Sequence, residues 1–261
     1  MGSQKMQSHL WGQRPEDWAS YQEDTVKPGY EYAISKLNPG PSLKFLDIGC
    51  GTGYFADMVS QTGADVTGFD GTEPFINEAK KRRNRKIKFL VGEMEELPFA
   101  NETFDLVSGC NSFQYAADVK HAISEAKRVL KPGGKLAVII WGEKEDCEAS
   151  TYLKTIGSLL PPPPPGAPGP FALTEGHLLE KILEELNLKI LHSKDVDCEW
   201  NYPNLEIAMK GLLSAGPAAK AIEHSGFEKS LQVLKEAVKP YIHGNGKVIY
   251  KNKFRVVIAE K

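Results

Sequence analysis

The sequence predicts an α/β fold: a doubly wound sheet of seven strands, mostly parallel with an antiparallel C-terminal strand, plus a helical cap. Three observations predict it. Apolar β-rich runs alternate with helical patterns between Leu43 and Ile140, a glycine-rich turn follows the first run, and two further strand-like segments lie after Leu186. A chain of 261 residues, 41% hydrophobic, can bury one sizeable core with a modest cap, so a single elaborated domain over 1–261 is expected.

The alternating runs read, in order, LKFLDIG, YFADMVSQTG, ADVTGFD, EPFINEAKKRRN, IKFLVGE, FDLVSGC, AISEAKRVL and KLAVII. Strand-helix alternation of this kind implies βαβ crossovers, a parallel sheet and helices on both faces. Gly63 after the first crossover helix and the Lys131-Pro132-Gly133-Gly134 turn before a strand are the expected punctuation. Beyond Trp141 comes a proline-rich stretch, Pro161–Pro170, read as a stiff connector rather than a docking motif because no arginine flanks it. A helix is expected over about Glu175–Leu186, then strands in LKILHSKDVDCEW and VIYKNKFRVVIAEK. Two helical patterns, around EIAMKGLLSAG and EKSLQVLKEAVKPYI, fall between them; residues 202–247 are too long for a hairpin turn and are expected to form a helical insertion that acts as a substrate lid. Residues 1–40 read as an N-terminal helical cap segment, and 41–142 as the ligand-binding core.

Charge and cysteine usage narrow the function classes. The formal charge of -2 gives no electrostatic footprint for nucleic acid or an anionic membrane. Neither partner is expected. Cys50, Cys110, Cys147 and Cys198 show no CxxC and no zinc-ligand spacing with histidine, so reduced thiols and no metal site are expected. No apolar run approaches 18 residues and the first residues lack a secretory h-region, which reads as cytoplasmic. The run from Lys80 to Lys86 reads as a solvated helix end complementing the helix dipole.

The chemistry concentrates at strand ends. Asp47-Ile48-Gly49-Cys50-Gly51-Thr52-Gly53 turns from the first strand into a helix, where glycines allow close backbone approach and amide N–H groups face a ligand. A dinucleotide fingerprint needs a third glycine at the position of Tyr54, and that bulky residue argues against a pyrophosphate. Asp70 ends the second strand, 21 residues after Gly49, where a carboxylate accepts hydrogen bonds from ribose hydroxyls. Glu93 ends the third strand, placed to accept from an adenine amino group, with the Met94 backbone able to read the ring. Either carboxylate alone reads better as an exposed strand end; together with the glycine loop they converge on one crevice.

With these residues in view, LDIGCGTG, FDGTEPFI, VGEMEELPF, FDLVSGCNSFQY and EAKRVLKPGGKLAVIIW resemble the successive motifs of class I S-adenosylmethionine-dependent methyltransferases. The branch they resemble is the ubiquinone/menaquinone-biosynthesis-like one (methyltransferase type 11), over roughly Trp11 to Trp141; PFALTEGHLLEKIL and FRVVIAEK extend the likeness. The resemblance implies a Rossmann-like fold and S-adenosyl-L-methionine as cofactor, leaving S-adenosyl-L-homocysteine as product. It implies that Asp47 and the Gly49–Cys50–Gly51 backbone hold the methionine part and Asp70 the ribose. Gly71, Thr72 and Phe75 would flank ribose and adenine, Glu93 and Met94 read the adenine, and Asn111 sit beside the sulfonium. The branch usually carries Asp where this chain has Glu93.

The expected activity is methyl transfer to a small-molecule acceptor by in-line displacement, which demands no particular catalytic residue. Candidate substrate contacts are Gln114 and Tyr115, after the fourth strand, and the N-terminal aromatic residues Trp18 and Tyr21, which with Trp11 read equally as core anchors. The loop Asn111-Ser112-Phe113-Gln114-Tyr115 lacks the two prolines of exocyclic-amine methyltransferases, which disfavours a nucleic-acid substrate. Two other classes stay open: a cofactor-binding protein without catalysis, and an NAD-type oxidoreductase, disfavoured by Tyr54. Acceptor, attacking atom and oligomeric state are not encoded in any motif.

Overall fold

A computed structural model describes residues 2–162 and 168–261. Half of the Pro161–Pro170 connector, residues 163–167, lies outside the described residues. Three helices come first: α1 (Gln4–Trp11), α2 (Pro15–Tyr21) and α3 (Lys27–Leu37). The doubly wound part follows as β1 (Lys44–Ile48), α4 (Tyr54–Ser60), β2 (Asp65–Asp70), α5 (Glu73–Arg82), β3 (Lys88–Val91), β4 (Phe104–Cys110), α6 (Val119–Val129) and β5 (Leu130–Trp141). Then come α7 (Ser150–Ser158), α8 (Leu178–Glu185), β6 (Lys189–Asp197), β7 (Trp200–Tyr202), α9 (Leu205–Leu213), α10 (Gly216–Ser225), α11 (Phe227–Val238), β8 (Val248–Tyr250) and β9 (Lys253–Glu260).

Seven strands form one sheet in the order β3-β2-β1-β4-β5-β9-β6. β9 runs antiparallel to both β5 and β6, and the pairings of β1 to β5 are parallel. Alternation along each strand divides the apolar side chains between two cores. Phe45, Ala137, Ile139, Val256 and Ile258 join α3 and α4 on one face. Leu46, Ile48, Leu136, Val138 and Val257 join α6 and α8 on the other. Burial on both faces is why these strands read as continuous apolar runs rather than as alternating ones.

Two expectations are corrected. Each of the two late strand segments is broken in two, and the outer pieces, β7 and β8, pair separately as a ribbon. The break is held at Asn252, whose carbonyl accepts from Cys198 N–H at 2.8 Å and whose side-chain Oδ1 accepts from Ala149 N–H at 2.9 Å. Between β7 and β8 lie three helices rather than two. Gly216-Pro217 looks like a breaker in sequence, yet Pro217 occupies the first turn of α10, where its missing N–H is no loss.

The sheet positions the site through tight packing beneath its carboxyl ends. Phe113, wholly buried, folds under the end of β4 so closely that a Cβ at Gly109 would stand 2.2 Å from its ring. Gly109→Ala is therefore expected to lower unfolding free energy by about 1–3 kcal/mol through overpacking. Urea denaturation of the variant against the parent chain checks this.

Candidate cofactor and acceptor site

The turn after β1 is set by three glycines with left-handed φ: Gly49 (71°), Gly51 (56°) and Gly53 (80°). Gly49 N–H donates to Phe69 O of β2 at 2.7 Å, fixing the turn against the neighbouring strand end. Space forbids a side chain there as well, since a Cβ on Gly49 would meet that of Ser112 at 2.2 Å. Ser112 in turn donates to Ile48 O at 2.8 Å, so the ends of β1 and β4 are tied together.

Asp70 closes β2 beside this turn. Its Oδ2 accepts Gly51 N–H at 2.9 Å and its Oδ1 accepts Thr72 N–H at 2.7 Å. Burial raises its pKa, and those two N–H donors work the other way. Each carboxylate oxygen has further lone-pair capacity, so a pair of ribose hydroxyls fits this geometry. Glu93 is engaged by the N-terminal helix. Its Oε2 accepts the N–H of Gln4 at 2.8 Å and its Oε1 that of Glu95 at 3.2 Å.

Aromatic rings stand over the turn. Trp18 stacks on Phe75 at 5.9 Å between centroids, and Trp11 meets Trp18 and Tyr115 edge-on at 4.9 and 5.2 Å. Trp18 Nε1 and Gln114 Oε1 are buried without a hydrogen-bond partner. Trp18 Nε1 sits 3.6 Å from where a Gly51 Cβ would be, an orphaned donor at the loop that a polar ligand can meet.

Two more carboxylates lie behind the turn. Ser108 donates to Asp47 Oδ1 at 2.6 Å. Burial pushes Asp47 up to about 7, against the lowering effect of Ser108 and helped by the neighbouring charges of Glu23 and Asp70. Glu23, from the turn between α2 and α3, accepts from Thr52 Oγ1 and from Arg83 at 2.8 Å. Its pKa is raised by burial in spite of Arg83. The basic run ending α5 is thus only partly a solvated helix end, because Arg83 turns inward and also donates to Thr52 O at 2.9 Å.

These groups share one cavity of about 440 Å3, within the range of small-molecule sites. Asp47, Gly49, Cys50, Gly51, Asp70, Gly71, Thr72, Phe75, Glu93, Met94 and Asn111 all border it, as do Trp18, Gln114 and Tyr115. Tyr21 does not: its ring faces α9, 5.9 Å from Lys210 Nζ. Away from the glycine turn the wall becomes apolar, with Trp141, Tyr152, Leu153, Ile156, Trp200 and Phe254. Neither this far wall nor Glu23 is signalled in the sequence. The wall is assembled from strand ends and helices distant in sequence, and a lone glutamate on a polar segment carries no motif.

Known proteins share part of this sequence and the fold. The family described as a methyltransferase domain matches residues 46–138. A sterol 24-C-methyltransferase of Gibberella zeae is 35% identical over 116 residues, covering 42% of this chain and 30% of that protein. A ubiquinone/menaquinone biosynthesis C-methyltransferase of Cereibacter sphaeroides is 36% identical over 110 residues, covering 40% and 44%. The chain thus spans less than half the length of these relatives. A crystal structure of a Bacillus halodurans protein assigned as a methyltransferase superposes with a TM-score of 0.61 at 16% identity, covering 89% of this chain and 98% of that one, a likeness of fold. Residues 46–138 thus match a methyltransferase domain, on a fold shared with solved methyltransferase structures. That domain is similar to the ubiquinone/menaquinone-biosynthesis branch, and S-adenosylmethionine is the cofactor that the likeness supports.

The raised pKa of Asp47 has a stability consequence. The folded chain retains this proton between the unfolded value near 4 and about 7, so the stability it contributes is complete at low pH and is lost as pH rises through that window. Asp47→Asn keeps an acceptor for Ser108 and carries no charge. Relative to the parent chain, its unfolding free energy is expected to rise by about 1–3 kcal/mol between about pH 5 and about pH 8, read from paired urea melts.

Proposed function

We propose that this protein transfers the sulfonium methyl group of S-adenosylmethionine to a small, uncharged, largely apolar acceptor held in the far part of the cavity. The observation that carries this reading is the charge pattern of the wall. Its charged side chains among the described residues are Glu23, Asp47, Asp70 and Glu93, all acidic and all grouped around the glycine turn and the strand ends beside it. No lysine, arginine or histidine lines the cavity there. An anionic acceptor would meet no counter-charge and would lose its hydration, whereas an apolar ring system exchanges water for Trp141, Trp200 and Phe254.

When bound, the cofactor supplies a methyl group already activated toward a lone pair. The chain's own work is then alignment and exclusion of water, together worth several kcal/mol of barrier. In this reading Asp70 and Glu93 fix the adenosine, with Gly71, Thr72, Phe75 and Met94 around it. Asp47, the backbone of Gly49, Cys50 and Gly51, and Asn111 orient the other end. Gln114, Tyr115 and Trp18, which line the cavity, border the acceptor in this reading. Tyr115 serves as a wall and not as a base, since burial pushes its hydroxyl up to about 12.

The roof in this reading is shared by the N-terminal cap and the helical insertion. Trp11 packs on α10 so closely that a Cβ on Gly216 would lie 2.6 Å from its Nε1, and His9 Nε2 meets Glu223 at 2.6 Å. Ala215 and Pro217, at the joint of α9 and α10, border the cavity directly. The insertion thereby acts as the substrate lid.

Two measurements test the reading. Radiolabelled methyl transfer to a metabolite extract should place label in the neutral, solvent-extractable fraction; label confined to anionic metabolites would sink the apolar-acceptor reading, and cofactor binding without any label would favour a silent binder. Leu153→Arg puts a charge into the apolar wall and is expected to lower kcat/KM by roughly a hundredfold or more while leaving S-adenosylhomocysteine affinity, read by calorimetry, within about twofold.

A further inference from the structure

Asp47 is 1% exposed and Glu23 5%, yet both border the cavity next to Gly51. Each is only partly satisfied by the protein. On Asp47 the hydroxyl of Ser108 occupies Oδ1, and among the described residues no donor reaches Oδ2. On Glu23 the Thr52 hydroxyl and the Arg83 guanidinium both take Oε2 and the backbone N–H groups of Thr52 and Tyr54 also act on the carboxylate, while Oε1 faces Gly51, 3.0 Å from a Cβ built there. Asp70 adds a third carboxylate across the same loop. Arg83 is the cation in contact with this group among the described residues, and it does not border the cavity.

Glu23 and Asp47 are buried and Asp70 is half-buried against one guanidinium, so the loop is short of positive charge; a proton on Asp47 relieves this in the free chain, and a bound cation can take its place. S-adenosylmethionine carries two cations, the sulfonium and the α-ammonium group, against one α-carboxylate, so it brings a net positive charge. An ammonium has three donors and no acceptor, which suits a position between two carboxylates that each have an oxygen to offer. The sulfonium has no such donors.

We propose that Glu23 and Asp47 together hold the α-ammonium group at the amino-acid end of the cofactor. This rests on the methyltransferase reading and extends it to a residue outside the nucleotide-binding motifs. Glu23 lies between α2 and α3, so the N-terminal cap is drawn onto the glycine turn by the same carboxylate that meets the ligand. Arg83 and Thr52 aim that carboxylate. Cap closure and recognition of the amino-acid end become one event.

The readout is the preference for S-adenosylhomocysteine over its deaminated analogue, which lacks only the ammonium group, with 5′-methylthioadenosine as a control that lacks the whole amino-acid end. Calorimetry on the parent chain needs no variant: a preference of about tenfold or more for S-adenosylhomocysteine is expected, and equal affinity for it and the deaminated analogue would overturn the proposal. Glu23→Gln retains an acceptor for Thr52 and should reduce that preference to about threefold while shifting 5′-methylthioadenosine affinity by no more than about twofold. An undiminished preference in Glu23→Gln, or equal loss for all three ligands as expected of a merely structural clasp, would also overturn it. A parent chain that binds S-adenosylhomocysteine and 5′-methylthioadenosine equally well loses this proposal alone; one that binds neither loses the methyltransferase reading and this proposal with it.

Discussion

The site depends on a chain reversal that only glycine permits at its tightest point. Gly49 must adopt a left-handed φ and must leave room for Ser112, and both demands arise because β1 and β4 end side by side. With the turn fixed against Phe69 O, Gly51 N–H is directed at Asp70, and the strand-end carboxylate is locked to the loop it faces. The ligand-facing geometry of β1, β2 and β4 therefore follows from one backbone conformation rather than from separate loops.

Around that turn the electrostatics are polarised. Acidic groups cluster at the strand ends, while the far wall is built of rings and aliphatic side chains. A low-dielectric wall beside uncompensated carboxylates raises the cost of water-filled and anionic occupants and favours a cation at one end with an apolar body at the other. The buried position of Asp47 makes the same point from the titration side, since its proton leaves near neutrality unless a cation takes its place.

The fold was legible because its cues are local. Apolar runs buried on both sheet faces, the glycine turn, and carboxylates at Asp70 and Glu93 each announce themselves within a few residues, and the seven-stranded sheet with its antiparallel strand follows from their order. What escaped the sequence was nonlocal. Glu23 gains meaning only because Arg83, sixty positions away, turns inward instead of into solvent. Tyr21 shares a segment with Trp18 but points to the opposite side, toward Lys210. The division of the late strands depends on Asn252 bonding to Ala149, a contact across 103 positions that no periodicity encodes.

β9 lies between β5 and β6 although it is the last of the seven strands in chain order. Until Lys253–Glu260 is available, β6 has no neighbour to pair with, and the edge of β5 is open to foreign strands. The strands around the glycine turn pair with neighbours formed before them, but the apolar wall, to which Phe254 belongs, needs a strand threaded between two others. Contact order thus differs between the two halves of the cavity, and the glycine-turn half is the one that can form without the C-terminal strand.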